Sequence, residues 1–306
     1  MPGAASCLKI VTASCVLATL LADMARPLHA QGGAWRVAPA VEARHLAAFS
    51  DASLDESSGI VVSRRHPGIL WTIEDSGAEA VLHATDTTGA DRGSWRVTGA
   101  TNRDWEALAL GRCPAGFCLY IGDIGDNSSA RTHAEIYRVP EPDPAGRARA
   151  TARARRLTVT YPDGPRNAES LAILPDTTLL IISKRESGSR IYEVPASAWR
   201  STAPIRATDR GGLPVPGGSL ANLVTDAAVS PDGARLAVRT YTAIYFFRIG
   251  PRHQITADYA GGACGIFGIE PQGEGVAWLD QRHLVTSSEN NFGMLGGLGL
   301  VRCAGM

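Results

Sequence analysis

Apolar and polar residues alternate along this chain in short runs, and one arrangement returns five times. A polar or acidic residue is followed by a small one and then by alternating apolar positions. The copies are Ser58-Gly-Ile-Val-Val, Glu106-Ala-Leu-Ala-Leu, Glu169-Ser-Leu-Ala-Ile, Thr225-Asp-Ala-Ala-Val and Glu274-Gly-Val-Ala-Trp. Their starts are 48, 63, 56 and 49 residues apart. Two of these spacings match the roughly 40–50 residues of a propeller blade, and two leave room for loop insertions. A turn follows each first strand, as at Arg65-His-Pro-Gly and Pro231-Asp-Gly, where the residue types favour tight reversal. Second strands are expected at 69–73, 118–122, 178–183, 236–240 and 284–287, and third strands at 81–85, 135–139, 190–194, 243–249 and 298–303. Outer strands are expected at 93–97, 156–161, 205–208 and around Ile255. The fifth unit runs out of chain after three strands. Residues 34–41 would supply its fourth, closing the ring and removing exposed edges. The pattern predicts an all-β, five-bladed β-propeller, with six blades as the alternative. No segment has a convincing helical period, and the basic stretch 147–156 reads as a solvated connection.

Composition fits this picture. The chain has 306 residues, 44% of them hydrophobic, which excludes wholesale disorder. Lys+Arg and Asp+Glu each number 30, so a nucleic-acid partner is not expected. Residues 1–30 read as a secretory signal peptide: Lys9 precedes an apolar run from Ile10 to Leu21, and Leu28-His-Ala30 offers a cleavage site. The run is too short for a comfortable membrane span. The expected product is a single propeller domain over 31–306, secreted or periplasmic. It keeps Cys113, Cys118, Cys264 and Cys303. An even count in an exported protein suggests disulfides. Cys113 with Cys118 would close a short hairpin, leaving Cys264 for Cys303. Zinc is disfavoured, since there is no CxxC pair and no His at ligand spacing.

Chemistry should gather at one channel mouth. The starts of the first strands line the channel, so Ser58, Glu106, Glu169, Thr225 and Glu274 should form a ring there. Three carboxylates converging with two hydroxyls near one axis cannot all stay charged and unpaired, since like charges raise some of their pKa values; a bound cation resolves this, and an all-oxygen set suits Ca²⁺. The second strands end on the same face and form a wider ring: Asp75, Asp123 with Asp126 and Asn127, Lys184 with Arg185, Arg239, and Glu289. Lys184, Arg185 and Arg239, with Asp126, Asn127 and Glu289, are candidates to hold a small anionic substrate, and Asp75 or Asp123 to orient an attacking water. A hydrated mouth with ordinary salt bridges is the plainer alternative. No GxSxG, P-loop, HExxH or dinucleotide fingerprint occurs.

At these residues the chain resembles the soluble calcium-activated nucleotidases (apyrases). That family has a five-bladed propeller with one Ca²⁺ in the channel, held by Glu and Ser residues at strand starts, and hydrolyses nucleoside di- and triphosphates. Glu106, Glu169 and Glu274 stand at the family's Glu positions, Ser58 at a Ser, and Thr225 where the family has a second Ser. The chain departs from it in lacking an Arg in Glu74-Asp-Ser-Gly77 and in the more acidic Gly122-Asp-Ile-Gly-Asp-Asn127. It is also similar to uncharacterised secreted bacterial propellers carrying Asp-Trp-Glu and Gly-Asp-Ile-Gly-Asp-Asn, and to phytase-like propellers. The resemblance implies a calcium-dependent phosphohydrolase. The alternatives are a binding propeller with structural calcium, and a glycoside hydrolase using Glu106 and Glu274 with Trp71, Trp105 or Trp278 stacking on sugars.

Overall fold

Each recurring unit folds as a strand meander because its apolar residues alternate with period two and its breaks carry turn formers. The computed structural model describes residues 34–268, 270–291 and 294–306. The expected signal peptide lies outside them. Five antiparallel sheets form five blades. Their inner strands are Ser57–Val62, Trp105–Cys113, Ala168–Ile173, Val224–Val229 and Gln272–Trp278. Each inner strand packs beside the next, and the fifth packs beside the first, so the ring closes as a five-bladed β-propeller. No α-helix occurs among the described residues, and none has a helix long and apolar enough to cross a membrane.

Both faces of a blade are apolar, and alternate residues serve different neighbours. Leu108, Leu119 and Ile121 of blade 2 enter a core shared with blade 1, around Trp71 and Trp95. Ala107, Ala109 and Tyr120 enter the core shared with blade 3, around Leu171 and Ile181. Five such cores alternate with the blades.

The closing strand differs from the expected 34–41. Glu42–Ala47 pairs antiparallel with Gly297–Arg302 and completes blade 5. The preceding Val37–Pro39 pairs parallel with Ala263–Gly265 at the edge of blade 4. Pro39 lacks an N–H, which suits an edge strand, whereas Leu46 packs into the small core between blades 5 and 1. The N-terminal segment therefore straps two blades. The outer strand of blade 3 is Thr208–Gly212, and Ile205–Arg206 instead extends blade 2 by parallel pairing with Arg155–Thr160. In blade 4 the outer edge is split between Ile255–Ala257 and Ala263–Gly265.

Cys113 is bonded to Cys118 across the blade 2 hairpin, and Cys264 to Cys303. The second bond joins the outer edge of blade 4 to the chain just past the last strand of blade 5. It spans 39 residues against 5 for the first. Loop-closure entropy then gives it about 4 kcal/mol, against about 2 kcal/mol for the short loop. Replacing Cys264 and Cys303 together by Ala should lower the unfolding free energy in guanidinium titrations by roughly 2–4 kcal/mol, more than replacing Cys113 and Cys118. The reverse order would contradict this role.

Candidate functional site

Every inner strand carries a register shift near its start. The shifts fall between Ser57 and Gly59, Trp105 and Ala107, Ala168 and Ser170, Val224 and Asp226, and Gly273 and Val276. The residues passed over include Ser58, Glu106, Glu169, Thr225 and Glu274, the five expected to line the mouth. A bulged residue is released from the ladder and its side chain is re-aimed. All five are at least nine-tenths buried. Contacts link them in two groups, Ser58 with Glu106 and Glu169, and Thr225 with Glu274. Ser58 Oγ donates to Glu106 Oε2 at 3.3 Å, and the protonated Glu106 carboxyl donates to the Glu169 carboxylate. Lys184 Nζ lies 3.3 Å from Glu169 Oε2. Thr225 Oγ1 donates to the Glu274 carbonyl at 2.9 Å.

Asp75 of blade 1 joins this ring, as does Asp104, which the sequence reading did not single out. Carboxylate oxygens of Asp75, Asp104 and Glu106 lie within 4.8 Å of one another. Asn102 holds this corner: its Nδ2 donates to the Glu74 and Asp75 carbonyls at 3.1 and 2.7 Å, and its Oδ1 accepts from Trp105 N at 3.1 Å. Asp104 stands in Asp104-Trp-Glu106, immediately before the strand Trp105–Cys113. Gln272 was also missed. Its Nε2 reaches Glu274 Oε1 at 3.1 Å and Glu289 Oε2 at 2.5 Å.

The other expected residues divide. Asp123 is buried and paired with Arg131 at 2.7 Å. Asp126 caps its own loop, accepting from Ala130 N and Arg131 N at 2.8 and 2.9 Å. Asn127 Oδ1 accepts from Asn167 Nδ2 at 2.9 Å, and Asn167 also donates to Glu169 Oε1 at 3.0 Å. Arg185 is exposed and shares a cleft with Lys184 and Asn127. Arg239 does not reach the mouth. It is 1% exposed, pairs with Glu270, and its Nη1 donates to the Gly275 carbonyl at 2.7 Å. It occupies space that Gly273 leaves free, where a Cβ would meet its guanidinium. Burial with an acidic partner makes it a clamp between blades 4 and 5, which removes it from the expected substrate grip. Trp71, Trp105 and Trp278 are buried in interblade cores and offer no face to a sugar.

The electrostatics follow from burial and crowding. Glu106 is pushed well above the usual carboxylate range by burial, then by Glu169 and Asp75. Burial also raises Glu169, although Lys184 and its hydrogen bonds oppose this. Burial and its acidic neighbours push Asp104 to about 6, Glu274 to about 7 and Glu289 to about 8. Burial pulls the Lys184 pKa down, but Glu169 and Glu274 raise it further, so it stays charged. One ammonium among so many carboxylates leaves a strongly cation-seeking mouth. The donors fit calcium: all are oxygens, and two oxygens bonded to one Ca²⁺ at about 2.4 Å lie at most about 4.8 Å apart.

No protein-family model matches the chain, and no curated protein matches it by sequence. Solved structures do match in fold. The PQQ-bound aldose sugar dehydrogenase of Streptomyces coelicolor superposes with a TM-score of 0.50 at 13% identity, covering 86% of this chain and 99% of that one. The calcium-binding protein regucalcin of Agrobacterium tumefaciens gives 0.45 at 12%, covering 81% and 90%. A gluconolactonase of Xanthomonas campestris gives 0.42 at 16%, covering 76% and 68%. At 13% identity the similarity to the sugar dehydrogenase is one of fold alone.

Two outcomes are expected of this site. The mouth carboxyls with raised pKa hold protons in the folded chain that the unfolded chain, with ordinary values near 4, releases. Their contribution to stability is full below about pH 4 and is lost as the pH rises through about 6, 7 and 8. In excess chelator the melting temperature should therefore fall between about pH 5 and 8.5, and added Ca²⁺ should raise it more at the alkaline end. A flat profile would contradict the crowding. Gly125 packs against the same corner, where a Cβ would lie 2.4 Å from the Asp104 carboxyl carbon and 2.8 Å from Glu106 Cγ. Gly125→Ala should cost about 1–3 kcal/mol and weaken calcium binding, measured by denaturant titration and calorimetry.

Proposed function

We propose that this chain is a calcium-dependent hydrolase whose reacting centre is the acidic channel mouth, with phosphoric esters or anhydrides as its substrate class. The observation that carries the reading is the meeting of Asp75, Asp104 and Glu106 oxygens within 4.8 Å, beside the charged Lys184. Asp75, Asp104, Glu106, Glu169 and Glu274, with the hydroxyls of Ser58 and Thr225, would hold the cation. Bound Ca²⁺ would supply charge neutralisation at the mouth and polarise a substrate oxyanion. Lys184 adds a fixed positive charge toward which an anionic group is drawn, and Arg185 stands exposed beside it. Asp75 orients water at the edge of the mouth, where it remains partly exposed. The resemblance to calcium-activated nucleotidases supports the ring but not a nucleotide site, since Arg239 is committed elsewhere.

A second reading is a binding propeller in which calcium only staples the blades. It is favoured by the pairing of Lys184 with Glu169 and the burial of Arg239, which leave few free cations at the mouth. Phosphate release from nucleotides, phytate and simple phosphomonoesters, with Ca²⁺ and with chelator, separates the two. Calcium-dependent release is expected. Glu106→Gln should lower it by roughly 100-fold and weaken calcium binding. In chelator the variant should melt no lower than the wild type at alkaline pH, because Gln cannot ionise among the neighbouring carboxylates. Calcium binding that raises the melting temperature without turnover of any substrate would favour the second reading.

A further inference from the structure

The acidic ring already holds a cation of its own. Lys184 follows the second strand of blade 3, Leu179–Ser183. Its side chain is 15% exposed, and its ammonium lies 3.3 Å from Glu169 Oε2. Tyr241 of blade 4 flanks it, with the ammonium 5.1 Å from the ring centre. Burial raises Asp75, Glu106, Glu274 and Glu289, and the Lys184 charge opposes the rise in each. A tethered ammonium so placed neutralises part of what a metal ion would neutralise. Lys184 also lines a polar cleft of about 290 Å³ that opens beside the mouth. Arg185, Asn127 and Ser129 line it too, and all three are exposed. Among the described residues no hydrogen bond or ion pair engages the Arg185 guanidinium, Asn127 Nδ2 or Ser129 Oγ.

The charge of this cleft depends on what Glu169 is doing. Arg166 is neutralised by Asp163 at 2.6 Å, and Arg185 is balanced by Glu186 in the same lining. While Lys184 is paired with Glu169 the cleft has no net charge. With Lys184 released it carries one positive unit and several free donors, which suits a small oxyanion. A carboxylate is drawn to a dication twice as strongly as to an ammonium at the same distance. We propose that Glu169 changes partner, from Lys184 to Ca²⁺, when the mouth takes up calcium, and that the released ammonium completes an oxyanion site in this cleft with Arg185, Asn127 and Ser129. The inference rests on the calcium reading of the mouth and adds to it that the anion site is assembled only in the calcium-loaded chain.

The test is calorimetry on the full chain with sulfate, an oxyanion that is not hydrolysed, before and after stripping of divalent cations. Sulfate should bind about tenfold more tightly to the calcium-loaded chain, and calcium should bind more tightly in sulfate by the same factor. Lys184→Met should lose this linkage. It should also bind calcium roughly tenfold more tightly than the wild type, because Glu169 is then held by no resident cation, and should melt lower when stripped. Arg185→Ala, which changes an exposed side chain, should weaken sulfate binding in calcium and leave the thermal melt unchanged. Sulfate binding equally tight with and without calcium, or absent at millimolar concentration, would overturn the proposal and leave the calcium site standing. Linkage that survives in Lys184→Met would overturn it too, because sulfate would then be meeting the metal itself. A chain that binds no calcium would overturn both readings.

Discussion

A four-stranded blade that is apolar on both faces can exist only between two neighbours. That constraint governs this molecule. Period-two alternation sends Leu108 and Ile121 to one side of blade 2 and Ala107 and Tyr120 to the other, so each strand contributes to two cores. A row of such blades would end in two uncovered apolar faces. Closing the row at five removes both. The N-terminal segment secures the closure by pairing with blade 4 through Val37–Pro39 and with blade 5 through Glu42–Ala47.

Closure has an electrostatic cost that the fold concentrates at one place. Five inner strands start around one axis, and each bulges there. The bulges free polar side chains that a regular ladder would have turned into the interblade cores. Glu106, Glu169 and Glu274 are thereby buried together, with Asp75 and Asp104 close behind. Hydroxyls, amides and one lysine amine relieve part of the repulsion, and raised pKa values record the remainder. The seam between blades 4 and 5 treats its polar groups differently. There Asp226 accepts from Val276 N at 2.8 Å, Arg239 pairs with Glu270, and Cys264 is bonded to Cys303. Those groups are paired within the seam and structural. Position on the ring thus decides whether a buried charge is available for binding.

The two ends of the channel consequently differ in character. The bulged end is crowded with acids and suited to a hard cation. The other end, past the regular part of the same strands, is lined by the inner strands of all five blades, with Arg64 and Arg112 among its residues. One set of strands presents both ends because residue types change along each strand.

Local signals made much of this legible. The repeat fixed blade number, because its spacing and alternation are properties of consecutive residues. It also marked Ser58, Glu106, Glu169, Thr225 and Glu274, since the polar start of each apolar run coincides with the bulge. The even count and spacing of cysteines pointed to the observed disulfides. Features that depend on distant chain segments were not legible. Asp104 joins the site because blade 1 brings Asp75 to it. Arg239 leaves the mouth because Gly273 vacates space and Glu270 supplies charge on the next blade. Residues 42–47 rather than 34–41 complete blade 5, because pairing with Gly297–Arg302 and burial of Leu46 set the register. Sequence by itself determined which residues are strands and which carry charge. Only the closed ring decided which charges meet, because their partners lie on other blades, and burial and register arise between segments that are remote in the chain.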